Sequence, residues 1–282
     1  MDHFDAEQRG AMAANLANWN ARVPIHLGPN GYEIDRLVED SAAISDVVKF
    51  DQRYLGDLTG CDLVHLQCHL GTDTISLARL GASITGLDFS ADALVSARDL
   101  AERCGIEARF VESNVYDAVE ALGRTYDFVY TGVGAINWLP DIGRWGETVA
   151  ALLEPGGRFH ITEGHPVAMI FSEDATLENM AIDFPYFEGS PPMRWNDPTT
   201  YKGDGEVTSP ESVEWAHNLG AVVQALIDAG LVIDRLEEHQ ELAWPFLPWM
   251  EPVPDRDGWY RFPEPLRQSV PLAFTIQAHK PG

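Results

Sequence analysis

Basic residues are scarce in this chain. It has 19 Lys and Arg against 44 Asp and Glu among 282 residues, which gives a formal charge of −25 at pH 7. Affinity for nucleic acid depends mainly on cations that neutralise phosphates, and no cluster of Lys or Arg occurs along the sequence. We therefore expect neither nucleic acid nor an anionic membrane surface as a partner.

Cysteines and long apolar runs are scarce as well. The chain has only Cys61, Cys68 and Cys104, too few for a disulfide framework. No run of about 18 apolar residues is present that could span a membrane. The first residues, Met1–Asp5, lack the basic and apolar segments of a secretory signal. These features predict a cytoplasmic protein, and 45% apolar with 22% charged residues is typical of a folded domain.

Short apolar segments alternate with amphipathic ones through the middle of the chain. Near the N-terminus, Met12, Leu16, Trp19 and Val23 recur at helical spacing, and Pro24 is predicted to end that helix. Strands are predicted at 63–66, 83–87, 108–111, 126–130, 158–162, 231–236 and 272–278. Strands separated by helices in this way indicate βαβ units and a mainly parallel sheet. The fold class is therefore α/β.

The alternation stops after residue 165. Residues 166–212 carry Pro185, Pro191, Pro192, Pro198 and Pro210 among Phe, Tyr and Trp residues, which predicts an insertion packed over one end of the sheet. We divide the chain into an N-terminal helical region (1–60), a first half of the α/β domain (61–165), a substrate-covering insertion (166–212) and a second half that completes the sheet (213–282).

Polar side chains are predicted at the carboxyl ends of the strands, where an open parallel sheet binds its ligand. Asp88 ends the second strand, 17 residues after Gly71. A carboxylate in this position can accept hydrogen bonds from both hydroxyls of a ribose. Asn114 follows the third strand, and its amide oxygen can accept from an adenine amino group. The pattern predicts a nucleoside site.

Three blocks of sequence resemble the class I (Rossmann-like) S-adenosylmethionine-dependent methyltransferase family of the small-molecule type. They are Leu66–Thr74, Gly81–Ser90 and Leu153-Glu154-Pro155-Gly156-Gly157. The similarity is close over residues 60–165, looser over 213–280, and extends to Trp19-Asn20-Ala21-Arg22. It implies a three-layer sandwich with a seven-stranded, mostly parallel sheet whose last strand is antiparallel. It also implies that residues 1–60 form a helical lid.

The resemblance also implies a cofactor, S-adenosyl-L-methionine. The cofactor-binding residues it indicates are Trp19, Arg22, Gln67, His69, Gly71, Asp88, Phe89, Asn114, Val115 and Thr131. The first loop departs from the family pattern, acidic-x-Gly-x-Gly-x-Gly, because His65, Gln67 and His69 replace the acid and the first two glycines. Gln67 and His69 can instead donate to a carboxylate. Asn114 stands where Asp is more usual and keeps an acceptor oxygen.

A metal site is not expected in this loop. Cys61, His65, Cys68 and His69 form a partial set of ligands, but strand residues alternate faces and no second pair follows at zinc spacing. His65 is equally well explained as a buried histidine with a local hydrogen-bond partner. We therefore predict no metal.

Methyl transfer to a hydroxyl or an amine needs a group that takes up a proton. His165, just after the fifth strand, is the first candidate for this catalytic role, and Glu163 is either the alternative or the group that orients it. His26 and His217 are weaker candidates. The loop after the fourth strand lacks the Asn/Asp-Pro-Pro-Tyr/Phe pattern of many enzymes that methylate bases or glutamine side chains.

Aromatic residues outside the predicted elements indicate an apolar acceptor pocket. They are Trp138, Trp195, Trp244, Phe246 and Trp249. We predict methyl transfer by in-line displacement to a small molecule through oxygen or nitrogen. Two alternatives stay open: an inactive nucleoside-binding protein of the same fold, and a nicotinamide-dependent oxidoreductase, which the missing Gly-x-Gly-x-x-Gly disfavours. The oligomeric state is open, with a homodimer as one option.

Overall fold

A computed structural model describes residues 3–282, and its centre is a seven-stranded sheet in the order β3-β2-β1-β4-β5-β12-β8. Its strands are β1 (Asp62–Leu66), β2 (Ser83–Asp88), β3 (Ala108–Glu112), β4 (Tyr126–Thr131), β5 (Leu153–Gly164), β8 (Val232–His239) and β12 (Ala273–His279). The helices are α1 (Ala6–His26), α2 (Ile34–Glu39), α3 (Asp46–Leu55), α4 (Thr72–Arg79), α5 (Ala91–Cys104), α6 (Ala118–Leu122), α7 (Ile142–Leu152) and α8 (Leu219–Asp228).

The strand directions match the prediction. β1 to β5 pair in parallel, whereas β12 is antiparallel to both β5 and β8. The strand order reverses between β1 and β4, and the crevice outside this point is where such sheets bind ligands. The prediction of an α/β sheet with an antiparallel last strand is confirmed.

Alternating residues of each strand build two apolar cores, one on each face of the sheet. Val64 and Val129 face a core formed with α6, α7 and α8, which includes the buried Trp145. Leu63 and Phe128, their neighbours in sequence, face the opposite core with α3 and α4. This period of two along the strands, with helices on both sides, gives the three-layer sandwich.

Helix α1 extends past the proline that was predicted to end it. Pro24 lies inside the helix, which continues to His26 because Leu27 still donates its N–H to the Val23 carbonyl 3.1 Å away. Proline removes one N–H near the C-terminus, which costs a single helical hydrogen bond. The prediction that Pro24 ends the helix was wrong by two residues.

The insertion forms a small separate layer beside α1. β6 (Met193–Asn196) and β7 (Glu211–Glu214) form an antiparallel pair. Asn15 of α1 exchanges two hydrogen bonds with the Val213 backbone, at 2.8 and 2.7 Å. A second small sheet consists of β9 (Glu241–Leu242), β10 (Glu251–Pro252) and β11 (Tyr260–Arg261). In the described part of the chain, every helix is too short or too polar to cross a lipid bilayer.

Candidate functional site

A cavity of about 510 Å³ opens at the carboxyl ends of β1, β2 and β4. Its floor is formed by the loops that follow these strands, and one wall is formed by α1. The insertion and the segment 243–247 cover the remaining side. The cavity therefore lies at the reversal of strand order, where the sequence predicted a ligand site.

The loop after β1 keeps the backbone shape of a glycine-rich loop without most of the glycines. Gln67 has φ 57° and His69 has φ 47°, both in the left-handed region, and Gly71 follows with φ 76°. A residue with a Cβ loses about 1–2 kcal/mol in this conformation. Two contacts compensate, because the His69 N–H donates to Asp88 and the Gln67 side-chain amide donates to the Ala135 carbonyl at 2.9 Å.

Gly71 is a position where the chain requires glycine. Its positive φ begins α4, and a Cβ there would lie 3.0 Å from the Cβ of Ala97 on α5. Gly71 supports the loop from behind and is not part of the cavity wall. Its role is therefore to allow the close packing of the loop on α5.

Asp88 stands at the tip of β2 with its carboxylate at the cavity. Oδ2 accepts the N–H of His69 at 2.8 Å and Oδ1 accepts the N–H of Ser90 at 2.9 Å. Burial raises the pKa of Asp88 to about 6, and the N–H groups of Ser90 and His69 oppose this rise. Each oxygen keeps a second lone pair for a ligand.

Arg22 is a cation at the cavity wall without a carboxylate partner. Its guanidinium lies 5.1 Å from the centre of the Trp19 ring and 5.5 Å from that of Trp138, and Nε donates to Asn18 at 2.7 Å. No carboxylate of residues 3–282 lies within 4.0 Å of it. Burial lowers the pKa of Arg22, yet a guanidinium stays protonated in proteins. A partly buried, unpaired cation of this kind is suited to an anionic group of a ligand.

Five further residues predicted to bind the cofactor line the cavity with Asp88, Arg22 and Trp19; one of them is His69. Gln67 contributes a buried Oε1 that has no hydrogen-bond partner among the described residues. Asn114 uses Oδ1 to accept the N–H of Tyr116 at 3.1 Å, which leaves one lone pair for a ligand. Phe89 and Val115 supply apolar wall surface. An unpaired buried acceptor is costly, so the Gln67 oxygen needs a donor from a ligand or from water.

His69 connects the loop to α1 and the insertion. Its Nε2 lies 2.8 Å from Nδ1 of His26, whose Nε2 lies 2.8 Å from the Thr200 hydroxyl. Burial lowers the pKa of His69 and lowers that of His26 to about 3, so both rings are neutral. His65 is buried and bonds to the Thr74 hydroxyl at 2.9 Å, and it also lies at the cavity wall.

Three predicted residues lie outside the cavity wall. Gly71 is behind the loop, and Thr131 is fully buried at the end of β4. His165 points away from the cavity, with Nε2 2.9 Å from Glu238 on β8 and Nδ1 accepting the Val167 N–H. His165 therefore stabilises the turn after β5, and its distance from the wall gives no support to a role as base.

Glu163 lines the cavity, but backbone donors occupy its carboxylate. Oε1 accepts from Gly134 and Gly164 at 2.6 and 2.7 Å, and Oε2 accepts from Ala135 and Ile136 at 2.8 and 3.1 Å. Burial raises its pKa, and the four N–H donors oppose this. The side chain thus anchors the turn after β4, which forms part of the cavity floor.

Sequence reasoning missed several polar residues of the wall. Tyr32 and Tyr201 meet through their hydroxyls, 2.5 Å apart. Asp73 lies in the first turn of α4, and burial raises its pKa to about 6. Glu214 ends β7, and burial raises its pKa to about 7, opposed by the Asn137 amide and the Arg22 charge. A four-residue strand in an irregular insertion carries no pattern that would have identified Glu214.

The fold and the cavity define a doubly wound α/β protein with a ligand-sized cavity at the carboxyl edge of the sheet. Comparisons with known proteins narrow this class. Residues 64–159 match a family described as a methyltransferase domain. The matched segment runs from β1 into β5 and contains the first loop, Asp88 and Asn114. Residues 64–159 are therefore similar to a methyltransferase domain.

Relatives in sequence cover only part of the chain. Methyltransferase phqN of Penicillium fellutanum is 28% identical over 194 residues, 67% of this chain and 54% of that protein. A ubiquinone biosynthesis O-methyltransferase of Cronobacter sakazakii is 33% identical over 102 residues, 36% of this chain and 42% of that protein. The chain thus spans about half the length of the relatives that it matches.

Solved structures share the fold at low identity. An S-adenosylmethionine-dependent methyltransferase of Clostridium acetobutylicum superimposes with a TM-score of 0.56 and 15% identity, covering 88% of this chain and 96% of that one. Another from Mesorhizobium loti gives 0.54 and 19%, covering 84% and 98%. At this identity the similarity establishes the fold alone.

Proposed function

We propose that this protein is an S-adenosylmethionine-dependent methyltransferase that acts on a small molecule. The observation that carries the proposal is the set of groups around one cavity: the Asp88 carboxylate, the unpaired Arg22 cation and the unpaired Gln67 oxygen. A carboxylate can bind a ribose diol, a cation can bind a carboxylate, and an acceptor oxygen can bind an ammonium group. S-adenosylmethionine carries all three of these ligand groups.

The residues of the first loop fit this cofactor in spite of the missing glycines. The three left-handed residues, Gln67, His69 and Gly71, give the loop the course that glycines give it elsewhere in the family. Arg22 would bind the carboxylate of the amino-acid end, Gln67 its ammonium group and Asp88 the ribose. Phe89 and Val115 would pack against the base, with Asn114 as an acceptor at its edge. Of the predicted cofactor residues, Thr131 and Gly71 would act from behind the wall.

When bound, S-adenosylmethionine supplies a methyl group on a sulfonium, and this chain orients the reactants and keeps water out of the cavity. In-line displacement at this methyl group would require the protein to hold the acceptor close and to exclude water. α1 and the insertion cover the cavity and join through the two hydrogen bonds between Asn15 and Val213. We propose that residues 1–60 act as a lid and that 166–212 cover the acceptor.

The acceptor would be small, because the cavity lies beneath the insertion instead of along an open groove. The net charge of −25 disfavours nucleic acid as a substrate, because both molecules are negatively charged. Cys61, Cys68 and Cys104 are all unpaired, which supports a cytoplasmic location. We do not retain His165 and Glu163 as bases, since Glu238 and four N–H donors occupy them.

Calorimetric titration with S-adenosylhomocysteine, the demethylated product, tests the proposal without any knowledge of the acceptor. We expect one site per chain and no heat from NAD. At a ligand concentration 100-fold above Kd, binding adds about 2.7 kcal/mol to the free energy of unfolding, which a thermal melt records as a rise in Tm of about 5 °C or more. Absence of binding to S-adenosylhomocysteine and S-adenosylmethionine alike would exclude the proposed function.

A further inference from the structure

The part of the cavity wall that the insertion and the segments 213–217 and 243–247 contribute is aromatic. We call this part the acceptor wall. Its rings belong to Phe171, Phe184, Trp195, Trp215, Trp244 and Phe246. The Trp244 indole stands over the ends of β4 and β5, since a Cβ at Gly134 or Gly164 would lie 3.8 or 3.4 Å from it. Aromatic faces carry negative electrostatic potential and attract cations.

Carboxylates accompany these rings. Glu173, Asp197 and Glu214 line the same part of the cavity, and Lys202 is its only Lys or Arg apart from Arg22 of α1 among the described residues. The whole chain, at a charge of −25, also attracts cations over a distance. The acceptor wall therefore favours a positively charged aromatic or apolar molecule over an anionic one.

Glu214 is the best placed of the three carboxylates. It is held on β7, whose neighbouring residue Val213 is fixed to α1 by the Asn15 hydrogen bonds. No cation of residues 3–282 lies within 4.0 Å of its carboxylate. The Trp195 indole and the Asn137 amide lie beside it and stabilise its charged form by hydrogen bonding. Arg22 faces this fixed, largely buried carboxylate from beyond ion-pair distance, which leaves a place for a cation of the ligand next to Glu214.

We propose that the methyl acceptor is a primary or secondary arylalkyl amine, which binds as its ammonium ion to Glu214 and the aromatic rings of the acceptor wall. The inference rests on the proposed function and specifies its substrate class. Glu214 then has a catalytic role, because an ammonium nitrogen has no lone pair and must lose a proton before it can attack.

The proposed step balances in protons and electrons. The ammonium N–H transfers its proton to the Glu214 carboxylate, which frees the nitrogen lone pair. Nitrogen attacks the methyl carbon, the N–C bond forms, and the C–S bond electrons return to sulfur, leaving a neutral thioether. The product is an N-methylated ammonium ion, and Glu214 releases the proton to solvent. Burial, which raises the pKa of Glu214 to about 7, suits a group that accepts and returns a proton near neutral pH.

Binding of matched ligand series tests the inference. Tryptamine and phenethylamine are titrated into protein saturated with S-adenosylhomocysteine, beside alcohols and carboxylic acids with the same ring and chain length. We expect the amines to bind at least tenfold more tightly than the alcohols, and the acids most weakly. Equal affinity for amines and alcohols overturns the inference, while cofactor binding in the same samples reports on the proposed function separately.

Two variants isolate Glu214. Glu214→Gln should lower amine affinity by tenfold or more with little change for the alcohols or for S-adenosylhomocysteine. Glu211→Gln, an exposed carboxylate on the same strand, is the matched control and should leave all affinities unchanged. A Glu214→Gln protein that keeps the amine preference contradicts the inference.

The pH dependence of the wild-type protein provides a measurement that needs no variant. Because the carboxylate must be ionised to hold the ammonium ion, amine affinity should fall as the pH drops below about 7, and alcohol affinity should not. The charged groups that face Glu214 are Arg22 of α1 and Glu173 of the insertion. Amine affinity that stays constant from pH 8 to pH 5.5 also overturns the inference.

Discussion

Replacement of Asp88 by Asn separates the binding role of this side chain from its structural role. In the native protein each carboxylate oxygen accepts one backbone N–H, from His69 and from Ser90. Asn offers a single oxygen, so one buried N–H loses its acceptor, at a cost of about 1–3 kcal/mol. The same change removes a buried charge whose pKa stands at about 6 instead of 3.8, which is worth roughly 3 kcal/mol at neutral pH. The two effects offset each other, and we expect little net change in stability.

For the free energy of cofactor binding, no second effect offsets the loss of the carboxylate. The carboxylate is proposed to accept from two ribose hydroxyls, and hydrogen bonds to a charged group contribute about 1.5–3 kcal/mol each. The neutral amide keeps one weaker bond. A loss of about 2–3 kcal/mol corresponds to roughly a 30- to 100-fold rise in Kd for S-adenosylhomocysteine. Calorimetry at pH 8 measures it, with Asp92→Asn, an exposed carboxylate in the first turn of α5, as the control.

The variant also makes a signed prediction for pH. Because the folded state raises the pKa of Asp88 above its unfolded value, the native protein binds more protons between pH 3.8 and about 6. Asp88 therefore makes the free energy of unfolding fall as pH rises through this window, and Asp88→Asn should remove that contribution. A folded Asp88→Asn protein that binds S-adenosylhomocysteine within about threefold of wild type would refute the proposed contact with the ribose.

Three further substitutions test the architecture of the site. Arg22→Leu should weaken S-adenosylhomocysteine binding by about tenfold or more, because the ligand carboxylate loses its cation; affinity equal to wild type would contradict this. Gly71→Ala should lower the free energy of unfolding by about 1–3 kcal/mol, measured with urea, because φ is 76° and the Ala97 Cβ is 3.0 Å away. Asn15→Leu leaves the Val213 N–H and C=O unpaired and should speed proteolysis in residues 6–26, with unchanged cleavage as the contrary outcome.

The regular half of the fold could be predicted because its information is local. Segments such as Leu63–Leu66 and Phe128–Tyr130 are buried on both faces, and glycines and capping residues such as Ser90 mark the ends of the elements between them. The position of Asp88 followed from the same logic, since the last residue of a parallel strand lies at the ligand edge of the sheet. Arg22, Gln67 and Asn114 were likewise placed at the cavity wall.

The residues whose contacts could not be predicted from the sequence are those whose surroundings come from distant parts of the chain. His165 follows a strand at the ligand edge, but its ring nitrogen Nε2 lies 2.9 Å from Glu238, which is 73 positions later in the sequence. Glu163 lies one residue before the end of β5, and its carboxylate accepts hydrogen bonds from the backbone N–H groups of residues 134–136. Neither Glu238 nor the turn 134–136 could be recognised as a contact from the spacing of nearby residues in the sequence.

The sequence by itself determined the order of the sheet strands, the carboxylate at the tip of β2 and the acidic charge of the whole chain. The strands and their ends can be recognised from the hydrophobic pattern of short segments, and the net charge is the sum over all residues. Only the tertiary structure decided that Gln67 and His69 take left-handed conformations, which contacts with Ala135 and Asp88 stabilise against local preference. It also decided that Glu214 reaches the cavity. The side chain is fixed there because β7 pairs with β6 and because Val213 bonds to Asn15 of α1, 198 positions away in sequence.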